Sequence, residues 1–176
     1  MKRRSPRQKP GLSEQSVGTP PEFIRAACSK LWIPRFNWDL AADAQNTKCQ
    51  GRFFSESDNA FVQDWSRIDP DPITFQCALW NWLNPPFSDI TPWAEKCVEE
   101  ASRGAHIALL VPSSTGANWW NDYVHGYGYV LALRSRIQFL GHTHGYPKDL
   151  ALILYTPTGF NGYDLWDWRA ELEKAA

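Results

Sequence analysis

The residues best suited to chemistry in this chain are Asn84-Pro85-Pro86-Phe87. They follow the apolar stretch Ala78–Leu83, which reads as a buried strand, and precede Ser88-Asp89, which reads as a helix start. Asparagine supplies a carbonyl acceptor. The two prolines lack an N–H and have a locked φ, so the loop is stiff and its carbonyls are free to face a cleft. The aromatic ring offers a stacking face for a planar base, worth about 1–3 kcal/mol in comparable nucleic-acid contacts. Such a loop suits methyl transfer to an exocyclic ring amine. The lone pair of that amine is delocalised into the ring. Two acceptors, the Asn84 side chain and the Pro85 carbonyl, would hold both amine hydrogens and turn the lone pair out of conjugation. That interaction strengthens as charge develops in the transition state, so it raises rate and not only affinity. No strong base is required, because the product ammonium loses its proton to water. The competing reading is a rigid strand-end turn without chemistry.

The elements that must position this loop follow from periodicity. Ile90, Trp93, Ala94, Cys97, Val98 and Ala101 recur at helical spacing and predict an amphipathic helix over 88–103, stopped by Gly104. His106–Val111 is continuously apolar and reads as a strand buried on both faces. Thr19-Pro20-Pro21-Glu22 predicts a capping box opening a helix that ends before Pro34. Residues 36–42 read as a strand with Asp39 near its carboxyl end, where open α/β sheets bind ligands. Asp58 reads as the cap of a short helix to Trp65, and Asp69-Pro-Asp-Pro72 as a turn. Strands are predicted over 127–133, 137–140 and 151–155, a helix over 117–125, and a terminal helix over 165–174. Strands alternating with helices predict an α/β, mostly parallel sheet, and the closely spaced last strands predict an antiparallel edge.

Composition limits the alternatives. The chain has 176 residues, 43% hydrophobic and 21% charged, which fits one globular domain with a real core. No apolar run approaches the roughly 20 residues of a membrane span, so no membrane partner is expected. Cys28, Cys49, Cys77 and Cys97 lack the spacing of a metal or redox motif, and no metal is expected. The His142-Thr143-His144 pair reads as a solvated loop rather than a ligand pair. Lys2, Arg3, Arg4, Arg7 and Lys9 all precede the first acid, Glu14. Residues 1–18 therefore read as a disordered basic tail, either a phosphate clamp or a solubilising segment, ahead of a single domain over 19–176.

Taken in order, these marks resemble the phage-type (Dam-like) DNA N6-adenine methyltransferases. The resemblance is carried by Thr19–Phe23, Phe36–Ala42, Trp82–Ser88, Leu109–Pro112 with Trp119-Trp120, and Arg136–Phe139. It implies a Rossmann-like fold, S-adenosylmethionine as cofactor, and transfer to adenine N6 in double-stranded DNA after base flipping. It assigns catalysis to Asn84, Pro85, Pro86 and Phe87. It places Thr19, Pro20, Asp39 and Ala41 at the cofactor, with Asp58 toward its adenosine half. It also implies a phage or prophage origin and action in the bacterial host cytoplasm. The chain departs from many such enzymes in having no Gly-x-Gly loop after the first strand. It also lacks a long insertion for target recognition, leaving Ser113–Asn118 or Gly141–Lys148 as candidate readers. The alternatives are a methyltransferase acting on RNA or a protein amide, and a non-catalytic DNA-binding relative. Oligomeric state is not legible.

Overall fold

A computed structural model describes residues 18–43, 48–49, 52–67 and 79–174. The basic tail, Cys77 and the 69–72 turn lie outside the described residues.

The strands form one six-stranded sheet in the order β1-β2-β3-β5-β4-β6. They are β1 (Trp38–Asp39), β2 (Trp80–Leu83), β3 (His106–Pro112), β4 (Tyr129–Arg134), β5 (Leu150–Tyr155) and β6 (Gly162–Asp167). The helices are α1 (Pro21–Leu31), α2 (Thr91–Ser102), α3 (Asn118–Tyr123) and α4 (Trp168–Lys174). β1, β2 and β3 pair in parallel, as do β4 and β6, whereas β5 runs antiparallel to both β3 and β4. The fold is thus α/β with a mostly parallel mixed sheet. The antiparallel strand sits inside the sheet and not at the predicted edge; the edge beyond β4 is the parallel strand β6.

Alternation along β2 and β3 distributes side chains to two cores. Trp80, Trp82, Ala108 and Leu110 enter the core shared with α1 and α4. Leu83, Ile107, Leu109 and Val111 enter the core shared with α2. Phe23 of α1 is the hub of the first, with ring centroids 6.2 Å from Trp82, 5.7 Å from Trp166 and 5.3 Å from Trp168.

Several predicted elements change. Thr19 is buried and does not cap α1; Pro20 holds the cap position, with no side-chain cap bond. Residues 137–140 form no strand, although Ile137 and Phe139 are buried. The terminal helix begins only at Trp168, because residues 162–167 form β6. Asp58 ends one 3₁₀ turn, Glu56–Asp58, and Asn59 caps the next by accepting the N–H of Phe61 at 3.3 Å.

Gly128 enters β4 at a close approach to β5. A Cβ there would lie 2.7 Å from Ile153 Cγ2 and 3.3 Å from Tyr155 Cε1, both in the core. Gly128→Ala is expected to lower stability by about 1–3 kcal/mol through overpacking, measured as a shift in the urea midpoint with an unchanged slope.

Candidate active site

A cleft of about 950 Å³ opens at the carboxyl ends of β1 and β2. That lies at the upper end of the about 300–1,000 Å³ typical of small-molecule sites. Gly18 and Thr19 enter it from the start of α1, Asp39 to Asp43 from the end of β1, and Asn84 and Pro86 from the loop after β2. The far wall is built by Phe54 to Ser57, Asn59 to Phe61, and Trp93 of α2.

Backbone pairing explains this convergence. Leu40 N–H donates to the Trp82 carbonyl at 2.9 Å, which fixes the end of β1 beside the end of β2. On the other side of β1, Asp39 N–H donates to Arg52 O at 3.0 Å and Phe54 N–H to Asp39 O at 2.9 Å. Residues 52–54 therefore continue the sheet edge and carry the wall into the cleft.

Asp39 is the charged centre of the site. It is 3% exposed. Its Oδ1 accepts Ala41 N–H and its Oδ2 accepts Lys48 N–H, each at 3.3 Å. Burial pushes its pKa up to about 6, against the smaller opposing pull of those two N–H groups and the Lys48 ammonium. Thr19, 1% exposed, lines the same cleft, and its Oγ1 is buried with no hydrogen-bond partner among the described residues. A buried hydroxyl without a partner is costly, which marks the position as one that a polar ligand would complete.

The loop after β2 divides its residues. Asn84 is half-buried and lines the cleft, its amide oxygen buried; Pro86 is exposed at the rim. Pro85 is buried and lies outside the lining, holding the turn between them. Phe87 also lies outside the lining, because its ring packs edge-on against Tyr146 at 5.5 Å and Phe139 at 6.2 Å. Of the remaining predicted residues, Ala41 lines the cleft, whereas Pro20 caps α1 behind it. Asp58 does not reach the cleft. Its exposed carboxylate accepts the Ser55 N–H at 2.8 Å and the Ser55 hydroxyl at 2.7 Å, which holds its pKa below the usual carboxylate range. It shapes the turn that presents Ser55.

Sequence reasoning overlooked the aromatic wall. Phe61 and Trp93 stand 4.3 Å apart, and Trp93 stacks on Trp65 at 6.4 Å. Trp93 falls on the apolar stripe of α2 and so reads as core; its place in the first turn after the Asn84 loop was the available signal.

The profile of the DNA N-6-adenine-methyltransferase (Dam) family matches residues 13–151. The chain belongs to this family. The match spans every cleft-lining residue described above. A DNA N-6-adenine-methyltransferase of Escherichia phage T1 is 24% identical over 88 residues, half of this chain. The aligned stretch spans about a third of that relative's length, 32%. No helix among the described residues is long and apolar enough to cross a membrane.

Proposed function

We propose that the protein is an S-adenosylmethionine-dependent DNA methyltransferase acting on adenine N6 of double-stranded DNA, with a Rossmann-like sheet and action in a phage-infected or prophage-bearing bacterial cytoplasm. The observation that carries this reading is the meeting of Asn84 and Asp39 in one cleft, within a chain of the Dam family. The cleft residues fit the cofactor: Thr19 Oγ1 offers an unused polar atom, Asp39 a buried carboxylate, and Phe54, Phe61 and Trp93 apolar walls. When bound, S-adenosylmethionine supplies an electrophilic methyl group on a positively charged sulfur.

Thr19, Asp39 and Ala41 hold the cofactor side. Pro20 and Asp58 act through their neighbours, fixing Thr19 and Ser55. Asn84 and the Pro85 carbonyl accept the two N6 hydrogens of an adenine swung out of the duplex, and Pro86 stiffens the turn between base and solvent. The acceptors favour the pyramidal nitrogen over the planar one, so their contribution grows toward the transition state. Phe87, beside the turn, gives the base a stacking face, its ring held by Phe139 and Tyr146. The proton leaves to water from the product ammonium.

Asp39 gives this reading a pH signature. A cationic partner favours the ionised carboxylate, so binding is coupled to loss of the Asp39 proton. Affinity for S-adenosylmethionine is expected to be constant above the Asp39 pKa of about 6. Below it, affinity should weaken toward about tenfold per pH unit, the limit for one coupled proton. Calorimetric titrations from pH 5 to 8 should display this slope in the native protein and its loss in Asp39→Asn. Parallel curves for the two proteins would remove Asp39 from the cofactor site.

The test of function is incubation of the purified chain with methyl-labelled cofactor and DNA, RNA or protein, followed by mapping of the modified sites. Label on adenine N6 in duplex DNA is expected. Label on RNA or protein alone would move the activity to those acceptors. DNA binding without transfer to any of the three would leave a non-catalytic relative.

A further inference from the structure

Residues 135–149 join β4 to β5 and form a compact loop beside the catalytic turn. Its neck is closed by Tyr146 N–H donating to Ile137 O at 2.8 Å. Its crown is closed by His142 N–H donating to Phe139 O at 3.2 Å and by Gln138 Nε2 donating to His142 O at 2.8 Å. Trp168 Nε1 donates to Ser135 O at 2.9 Å and ties the base of the loop to α4. Three further contacts tie it to the candidate active site. Phe139 and Tyr146 grip Phe87 edge-on, and Leu140 N–H donates to Gly18 O at 2.9 Å. Gly18 itself lines the cleft. Leu140 is therefore placed at the cleft rim by its own backbone and by its neighbour Phe139.

The side chain of Leu140 is out of keeping with that anchorage. It is 45% exposed, while Phe139 before it is 3% exposed. Gly141 follows with φ +82, a left-handed residue that turns the chain sharply at this point. The residues around it, Gln138, His142, Thr143 and His144, are exposed and polar, and Arg136 and Lys148 stand exposed at the two flanks. An apolar knob on a braced tip, ringed by hydrogen-bond donors and flanked by two cations, matches the needs of a duplex being opened. The cations meet phosphates, the polar groups meet base edges, and the knob takes the place of a base that has left the stack.

We propose that Leu140 is the wedge that fills the duplex when the target adenine moves into the cleft. The proposal rests on the adenine-methylating reading given above. The rim contact to Gly18 and the Phe87–Phe139 contact keep the wedge at a fixed distance from the catalytic turn, so insertion and base capture occur together. Removing the knob costs the enzyme the opened state of a paired adenine. It costs little where the adenine is already unpaired.

The test uses the full chain and duplexes carrying the site found by methylation mapping. The target adenine faces either thymine or an abasic site. In a third duplex 2-aminopurine replaces the target adenine, and its fluorescence rises when it leaves the stack. Leu140→Ala is expected to lose most of the fluorescence rise and at least tenfold in turnover on the thymine duplex. It should stay within about threefold of wild type on the abasic duplex, with unchanged cofactor affinity as the check on folding. Leu140→Met, which keeps the bulk, should retain both signals. Equal losses on the two duplexes, or wild-type flipping and turnover by Leu140→Ala, would overturn the wedge while leaving adenine methylation intact. If the native chain labels no adenine in either duplex, the methylating reading itself has failed, and the wedge with it.

Discussion

Asn84→Ala is expected to lower single-turnover methyl transfer by about 10²–10³-fold while leaving the dissociation constant of S-adenosylmethionine within about twofold of wild type. The magnitude is that of removing one preorganised hydrogen-bonding group aimed at developing charge, about 2.7–4 kcal/mol. The partition follows from position. Asn84 and Asp39 share a cleft, but Asn84 projects from the rigid turn after β2, whereas Thr19 and the end of β1, where the cofactor is proposed to sit, build another part of it. In the proposed reading, truncating Asn84 thus removes an interaction with the acceptor amine and not one with the donor. Rapid-quench turnover and equilibrium calorimetry on the same preparation separate the two quantities. Parallel losses in rate and cofactor affinity would reassign Asn84 to the donor side.

Glu100→Ala is expected to cost about 3–5 kcal/mol of folding stability, a large part of the 5–15 kcal/mol that holds an ordinary domain together. Glu100 is fully buried on α2. One carboxylate oxygen accepts Lys96 Nζ at 2.9 Å and Arg103 Nη1 at 3.3 Å. The other accepts the backbone N–H groups of Trp65 at 2.9 Å and Ser66 at 3.2 Å. Lys96 Nζ also lies 5.0 Å from the centre of the Trp65 ring. Alanine would strand a nearly buried ammonium and two backbone donors at once. The same bonds dock the segment bearing Ala60 and Phe61, so the cleft wall should loosen along with the fold. Urea unfolding measures the stability loss, and a weakened affinity for S-adenosylhomocysteine at temperatures well below the transition measures the loosened wall. A stability loss below 1 kcal/mol would mean that water replaces the carboxylate.

The unit proposed to carry the chemistry is the most legible part of the chain. β2, the Asn84 turn and α2 are consecutive, and each announces itself locally. An apolar run broken only by Asn81 marks the doubly covered strand, two prolines fix the turn, and a helical stripe marks α2. β3 is legible for the same reason as β2. What escaped depends on partners distant in sequence. β6 is an exposed edge whose Tyr163 and Leu165 are 63% and 69% exposed. It lacks a buried stripe and merges with the helix that follows it. β5 is apolar throughout, but nothing within residues 150–155 says that it enters between β3 and β4. Thr19 has the composition of a cap, yet the cleft captured its side chain and left the cap to Pro20. Asp58 is bound by Ser55, three residues away, and does not line the cleft, although Ser55 does. Trp93 looks like core from its spacing, and only the docking of the 60–67 segment through Glu100 brings Phe61 beside it in the wall of an open cleft.

The most direct measurement is a crystal structure of the chain with S-adenosylhomocysteine and a duplex bearing the mapped site. The expected result is an extruded adenine with N6 about 2.7–3.2 Å from both Asn84 Oδ1 and the Pro85 carbonyl oxygen, a direct hydrogen-bond distance. The nucleoside should lie along Thr19 and Asp39. An adenine still stacked in the duplex, or an extruded one whose N6 faces away from residue 84, would contradict the account at its root.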